Sequence, residues 1–152
     1  MSEQTSSGVM AGKRGLIMGV ANDRSIGWGI ASKLAEHGAE LAFTFQGEAL
    51  QKRVIPLAES VGSNLVLPCD VTDEASVDAV FDRLKSEWGE LDFVLHAIAY
   101  SDKEELKGGY VDTSRDNFQR TMDISVYSFT EITRKATACL LYTSPSPRDR
   151  IR

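Results

Sequence analysis

The alternation of short apolar runs with amphipathic segments constrains the fold of this chain more than any other feature. Four runs, at residues 14–19, 40–45, 64–71 and 91–99, are nearly continuous in apolar residues, and stretches with apolar residues at helical spacing follow them. Continuous rather than alternating apolar strands are typical of a parallel sheet covered on both faces. The pattern therefore predicts an α/β fold with a doubly wound parallel sheet.

The predicted helices differ in how their apolar residues are arranged. The first begins near Ser25 and ends at Gly38, a residue type that commonly terminates helices. The last, over "MDISVYSFTEITRKATA", has apolar residues on two sides, with Ile124 and Tyr127 opposite the main stripe. We expect both of its faces to be buried. The main stripe consists of Phe118, Met122, Val126, Phe129 and Ile132.

Composition narrows the class of protein. The 152 residues carry a net charge of -5, and no basic stripe with interleaved aromatic residues suits a nucleic acid. The N-terminus has no signal-peptide layout, and the apolar runs are too short to span a bilayer. Two cysteines without paired spacing favour a reduced, cytoplasmic compartment. We expect a flexible tail over residues 1–12 and one dinucleotide-binding domain over residues 13–138.

The residues that follow the strands indicate where a ligand binds. In open parallel sheets the ligand lies beyond the carboxyl ends of the strands, which here are followed by the loop "GVANDRSIGWG" and by Gln46, Asp70 and Ile98. Gly19 permits a sharp turn, Ser25 is placed to cap the next helix, and the helix N-terminus suits a pyrophosphate. The glycine spacing departs from G-x-G-x-x-G. Glycines that serve turns alone, a turn-capping Asp70 and a core Ile98 stay open as alternatives.

Five blocks of sequence together resemble one known family. They are the glycine loop, "AELAFTFQG", "CDVTDEAS", "LDFVLHAIAYSDKEEL" and "YVDTSRDNFQRTMDISVYSFTEI". In this order and spacing they resemble the bacterial NADH-dependent enoyl-acyl-carrier-protein reductases, divergent short-chain dehydrogenases/reductases, from about Gly8 to Ala138. Two alternatives remain: another short-chain reductase that acts on a carbonyl, and a non-catalytic half-fold that binds NADH.

The resemblance implies a Rossmann-like doubly wound parallel sheet, truncated after the fourth strand and its following helix, with a cofactor site for NADH. It places the phosphate loop at Gly19, Ser25 and Ile26, and a Gln at position 46 accompanies NADH in the family. It also implies that Ser101 lies where the substrate pocket begins. Further residues that the resemblance assigns to the cofactor frame the adenine or lie by the ribose and nicotinamide: Asp70, Val71 and Ile98.

The resemblance also implies an activity in fatty acid biosynthesis. Hydride passes from NADH to the C2=C3 double bond of an enoyl thioester on acyl carrier protein, in an enzyme that is a homo-oligomer. The Tyr and Lys that stabilise the enolate come from a helix after a fifth strand, which this sequence lacks, so no catalytic residue is assigned and the chain is expected to be inactive. Tyr100 and Lys107 have a similar spacing but flank a glycine-containing loop, and we interpret it as coincidence. His96 and His37 have no metal-ligand partners at suitable spacing, so we interpret both as structural and assign no metal site.

The last residues differ in character from the rest. The segment 139–152, "CLLYTSPSPRDRIR", has no periodicity. Written as codons, residues 139–149 resemble, without a gap, a transposase adapter used in preparing short-read sequencing libraries. We therefore expect residues 139–152 to be non-native read-through and assign them no function. The alternative is a natural disordered tail rich in Pro and Ser.

Overall fold

The computed structural model describes residues 8–139, with the side chain of Cys139 left aside. Strands and helices alternate along this part of the chain, as the apolar pattern predicts. The strands are β1 (Arg14–Met18), β2 (Glu40–Phe45), β3 (Val66–Pro68) and β4 (Phe93–His96). The helices are α1 (Ile26–Glu36), α2 (Glu48–Ser60), α3 (Glu74–Trp88), α4 (Arg115–Met122) and α5 (Ser128–Cys139). A π-helical segment, Asp123–Tyr127, joins α4 to α5, and a short 3₁₀ turn occupies Tyr110–Asp112.

The four strands form one parallel sheet in the order β3-β2-β1-β4. Ile17 of β1 lies opposite Phe43 of β2 on one side and Leu95 of β4 on the other. The predicted α/β, Rossmann-like fold is thus confirmed. β3 and β4 are shorter than predicted, because each pairs with a single strand within the described residues and the paired stretch ends sooner than the apolar run.

The two faces of the sheet explain why its strands are continuously apolar. Successive side chains of a strand point to opposite faces. Leu16 and Met18 pack with α3 and α5 on one face, whereas Ile17 packs with α1 and α2 on the other. All three are fully buried. Each contributes about 1.5–3 kcal/mol relative to an exposed position.

The ends of two helices follow from local sequence. Gly38 follows the C-cap residue His37 of α1 with a φ of +97°, and its N–H donates to the carbonyl of Ala35, which confirms it as a helix terminator. The Asp73 side chain caps α3 by accepting from the N–H of Ala75. α3 ends at Gly89, which adopts a left-handed conformation.

The last predicted helix differs from expectation. It is broken into α4, the π-helical segment and α5, and one face is buried rather than two. Ile132 and Ala136 pack against α3 in the core. The rest of the predicted stripe is exposed and forms what we name the apolar face: Phe118, Met122, Val126 and Phe129, with exposed fractions of 43% to 57%. Periodicity predicted which residues share a side, but no element within residues 8–139 covers that side.

The chain ends bear on the predicted boundaries. Of the predicted flexible tail, residues 8–12 form turns, and the N–H of Met10 donates to the carbonyl of His37. Residues 1–7 lie outside the described part, as does the predicted read-through segment apart from the backbone of residue 139. In the part of the chain that the structure describes, no helix combines the length and apolarity needed to cross a membrane.

Candidate functional site

A crevice of about 280 Å³ opens at the carboxyl ends of the strands. Five of the predicted cofactor residues line it, and each lies within three residues after the end of one of the four strands. The loop after β4 and the helix α4 complete its wall. The predicted residues in the lining are Gly19, Gln46, Asp70, Val71 and Ile98, and further lining residues include Tyr100, Arg120 and Ile124.

Gly19 is required by the backbone around it. Its φ is +101°, and a Cβ built at this position would overlap the carbonyl of Ala97, the residue after β4. Gly27 is also confined, since its Cβ would lie 3.3 Å from that of Ala97. At Gly29, by contrast, a Cβ would meet no atom of a neighbouring segment within 4 Å. The close approach of this loop to the end of β4 thus depends on Gly19 and Gly27.

Ser25 takes the position of a helix cap without the predicted side-chain bond. Its hydroxyl donates to the carbonyl of Asn22 at 2.7 Å, and accepts from no helix N–H. The prediction that this side chain caps α1 is therefore wrong: the hydroxyl bonds back to the preceding turn and not to the helix. Neither Ser25 nor Ile26 lines the crevice, and Ile26 is 81% exposed.

The first turn of α1 retains the properties that favour an anion. It has no side-chain cap and no acidic residue. The N–H groups of a first helical turn lack intrahelical partners and carry partial positive charge. The start of α1 therefore suits a phosphate group, beside the crevice that Gly19 lines.

Asp70 both closes a turn and lines the crevice. Its Oδ1 accepts from the Thr72 N–H at 2.9 Å and from the Thr72 hydroxyl at 2.7 Å. The hydroxyl bond and then the backbone bond hold the pKa of this carboxyl below its usual value, and Gln46 and Arg120 add smaller effects in the same direction. Asp70 therefore presents a negative charge at neutral pH.

The loop after β4 is held by the π-helical segment. The Tyr100 N–H donates to Ser125 Oγ at 3.0 Å, and this hydroxyl lies 3.2 Å from the Tyr100 carbonyl. The Arg120 guanidinium lies over the Tyr100 ring, with its central carbon 4.7 Å from the ring centroid. Sequence reasoning missed Arg120, Ile124 and Ser125. Arg120 and Ile124 line the crevice and Ser125 holds its loop, all from helical segments that follow the strand ends at a distance in sequence.

Ser101 lies apart from the crevice. It lines a separate cavity of about 290 Å³ that Asn117 and Phe118 share, and the Asn117 amide lies 3.4 Å from its hydroxyl. Lys107, in the same loop, pairs with Glu104 at 3.0 Å rather than approaching Tyr100. The interpretation of the Tyr100 and Lys107 spacing as coincidence agrees with this geometry.

His96 has a structural environment. Its Nε2 lies 2.7 Å from Ser128 Oγ, and that hydroxyl donates to the carbonyl of Ile124 at 2.6 Å. Since the hydroxyl proton is used, Nε2 carries the hydrogen of the histidine and donates it. Burial lowers the pKa of His96. Across residues 8–139, no three His, Cys, Asp or Glu side chains are grouped to hold a metal ion.

A parallel sheet with helices on both faces, a constrained glycine after β1 and a crevice at the strand ends define a Rossmann-like α/β protein. Comparison with protein families identifies one family within this fold class. The family model described as enoyl-(acyl carrier protein) reductase matches residues 19–145, and the chain belongs to this family.

Curated relatives agree with this membership. The chain is 68% identical over 130 residues to enoyl-[acyl-carrier-protein] reductase [NADH] 2 of Rhizobium meliloti, covering 86% of this chain and 48% of the relative. It is 51% identical over 135 residues to the corresponding [NADH] FabI of Rickettsia felis, covering 89% and 52%. The chain spans about half the length of the curated relatives it matches.

Solved structures share the fold. FabI from Candidatus Liberibacter asiaticus is 56% identical, with a TM-score of 0.85 over 87% of this chain and 51% of that one. The Anaplasma phagocytophilum reductase, solved in complex with NAD, is 55% identical, with a TM-score of 0.84 over 90% of this chain and 52% of that one.

Proposed function

We propose that this chain is the cofactor-binding half of an NADH-dependent enoyl-acyl-carrier-protein reductase of fatty acid biosynthesis. The observation that carries the proposal is the 68% identity to the Rhizobium meliloti NADH enzyme, which spans the elements that build the crevice. Its crevice lies where parallel sheets bind nucleotides. The relative solved with NAD supports the same assignment of the cofactor.

The residues of the crevice fit a dinucleotide. The uncapped start of α1 suits the pyrophosphate, and Gly19 keeps the preceding turn close to β4. Asp70 and Val71 hold the adenine, while Gln46 takes the place of the carboxylate that usually accepts from the ribose hydroxyls and offers its amide oxygen to them. Ile98 lies along the ribose and nicotinamide. Bound NADH supplies the hydride that reduces C3 of the enoyl thioester.

The chain's own residues bind and orient rather than transfer protons. Ser25 and Ile26 are assigned to the phosphate loop by their place at the start of α1. Ser101 begins the substrate side, on the cavity shared with Asn117. No catalytic residue is assigned here, because the Tyr and Lys that stabilise the enolate in the family have no counterpart in this sequence.

The proposal extends to partners and location. The substrate is an enoyl thioester carried on acyl carrier protein, and the enzyme works in the cytoplasm. The exposed apolar face on α4 and α5 supports self-association of the protein, since apolar patches of this kind commonly mark interfaces. Neither nucleic acid nor membrane is a partner in this proposal.

The experiment pairs the chain with a catalytic half. Residues 1–138 are fused to the C-terminal half of the Rhizobium meliloti reductase, and NADH oxidation is followed with a crotonyl thioester. The fusion is expected to oxidise NADH, and the 152-residue chain alone is expected to bind NADH without turnover. A fusion that folds but reduces only ketones contradicts the proposal, as does turnover by the chain alone.

We also propose that residues 13–138 form the native domain and residues 139–152 are read-through. The match to the family model extends to residue 145, past the proposed boundary at residue 138. The source DNA distinguishes a native tail from read-through. A single long read across the codon for Ala138 is expected to continue into a fifth strand and then a Tyr and Lys pair. A genomic "CLLYTSPSPRDRIR" followed by a stop codon contradicts the assignment of the tail.

A further inference from the structure

Arg120 gives the crevice a positive charge that the sequence motifs do not predict. Among the residues that line the crevice, the charged side chains are Asp70 and Arg120. Arg120 is contributed by the last turns of α4, opposite the strand ends that carry the predicted cofactor residues. The crevice therefore has one negative and one positive group on its lining.

The environment of Arg120 leaves it able to bind a ligand. The central carbon of its guanidinium lies 4.7 Å from the centroid of the Tyr100 ring, a cation–π contact that does not use its N–H donors. Within residues 8–139 its side chain makes no hydrogen bond or ion pair, in contrast to Arg14, which binds Glu40 and the Trp88 carbonyl. The planar group thus retains its N–H donors for a ligand.

The pair of charges favours a planar base over a phosphate. Asp70 Oδ1 is occupied by Thr72, and its charge acts against a second anion in the same space. A heterocycle that carries an amino donor, ring-nitrogen acceptors and a π face satisfies both an acidic and a guanidinium group. Adenine has all three.

We propose that Arg120 is a cofactor-binding residue that contacts the adenine base of the dinucleotide, with its guanidinium beside Tyr100 and its charge balanced by Asp70. The inference rests on the proposed function, because it assumes that this crevice takes NADH. It adds a contact from α4 to the residues assigned by the sequence.

Ligands that contain only one half of NADH distinguish adenine binding by Arg120 from a structural role. Equilibrium binding of NADH, ADP-ribose and reduced nicotinamide mononucleotide is measured for the 152-residue chain and for Arg120→Met. Loss of a cation–π contact predicts about two- to thirty-fold weaker binding of NADH and ADP-ribose. Binding of reduced nicotinamide mononucleotide, which lacks the adenosine, is expected to be unchanged. Equal weakening of all three ligands contradicts the proposal, because that result means a general effect on the crevice.

Two further variants complete the test. Arg120→Lys keeps the charge without the planar group, and its affinity for NADH is expected to lie between those of the unaltered chain and Arg120→Met. Arg115→Met removes an exposed arginine of α4 outside the crevice and is expected to bind NADH normally. If Arg120→Met weakens NADPH far more than NADH, Arg120 binds a phosphate and the proposal is overturned. Unchanged binding by both Arg120 variants overturns the inference alone. Absence of NADH and ADP-ribose binding by the unaltered chain contradicts the proposed function together with the inference.

Discussion

Gly19 and the carbonyl of Ala97 lie so close that the turn after β1 and the end of β4 form one contact. Gly19 also has a φ of +101°, so both its conformation and its neighbour exclude a side chain. Gly29, in the same glycine-rich stretch, lies in α1 with open space around it. The two glycines therefore form a matched pair for mutation.

Gly19→Ala is expected to lower the free energy of unfolding by about 2–5 kcal/mol, since the left-handed conformation and the overlap with backbone both cost energy. Gly29→Ala is expected to raise it by about 0.5–1 kcal/mol, because alanine favours the helix. Urea unfolding of both variants measures the difference. Equal effects of the two substitutions would show that Gly19 is not constrained by Ala97.

Cys69 is expected to react slowly in the folded protein. Burial raises the pKa of its thiol from 9.0 to about 11, although Ser76 hydrogen bonding opposes this shift. Because the thiolate is the nucleophile, alkylation at pH 8 is expected to be about a hundredfold slower in the folded chain than in urea. A Cys139→Ser background isolates this thiol for measurement with iodoacetamide. Equal rates in the two states contradict the assignment.

His96 makes stability depend on pH near neutrality. Burial lowers its pKa in the folded protein, so the neutral ring is favoured there and the unfolded chain binds the proton more readily. The stabilising effect is present above the unfolded pKa of about 6.5 and is lost as the pH falls through that value toward the lower folded pKa. Urea midpoints at pH 7.5 and 5.5, compared with those of His96→Gln, measure it. If His96 contributes as described, the urea midpoint of His96→Gln is expected to change less between the two pH values than that of the unaltered chain.

The apolar face is expected to drive self-association. Met122→Lys combined with Val126→Lys places charge among its exposed side chains, so the concentration at which the chain associates is expected to rise. Sedimentation of the chain over a range of concentrations measures this. Val111→Lys is the control, since Val111 is 90% exposed and lies outside the face. An identical effect of the control would assign the change to net charge alone.

The sequence predicts the sheet and the strand ends that surround the crevice, and the reason is physical. Continuous apolar strands require a sheet with two covered faces, and parallel order brings the strand ends to one edge. The positions of Gln46, Asp70 and Ile98 around one crevice follow from that topology, before any side-chain detail is known.

The contacts that individual side chains make are harder to predict from the sequence. Ser25 has the sequence position of a cap, but its hydroxyl binds Asn22, an alternative within the same loop that spacing does not distinguish. Arg120 lies among the exposed residues of α4, where helical periodicity indicates no more than solvent exposure. The periodicity of the apolar face likewise identifies a shared side but not the absence of a neighbour. These features depend on contacts between distant segments.

The π-helical segment determines how α4 is rotated about its axis relative to α5. α4 carries a side chain of the crevice, whereas α5 packs in the core. Each α-helical residue advances about 100° around the axis, so removing one residue from Asp123–Tyr127 and restoring a regular α-helix would rotate α4 by about that angle relative to α5. Ile132 would still pack on α3, but Arg120 would turn away from the crevice. A single-residue deletion would then leave the hydrophobic core in place while separating it from ligand recognition, so insertions and deletions here would act on binding before they act on folding.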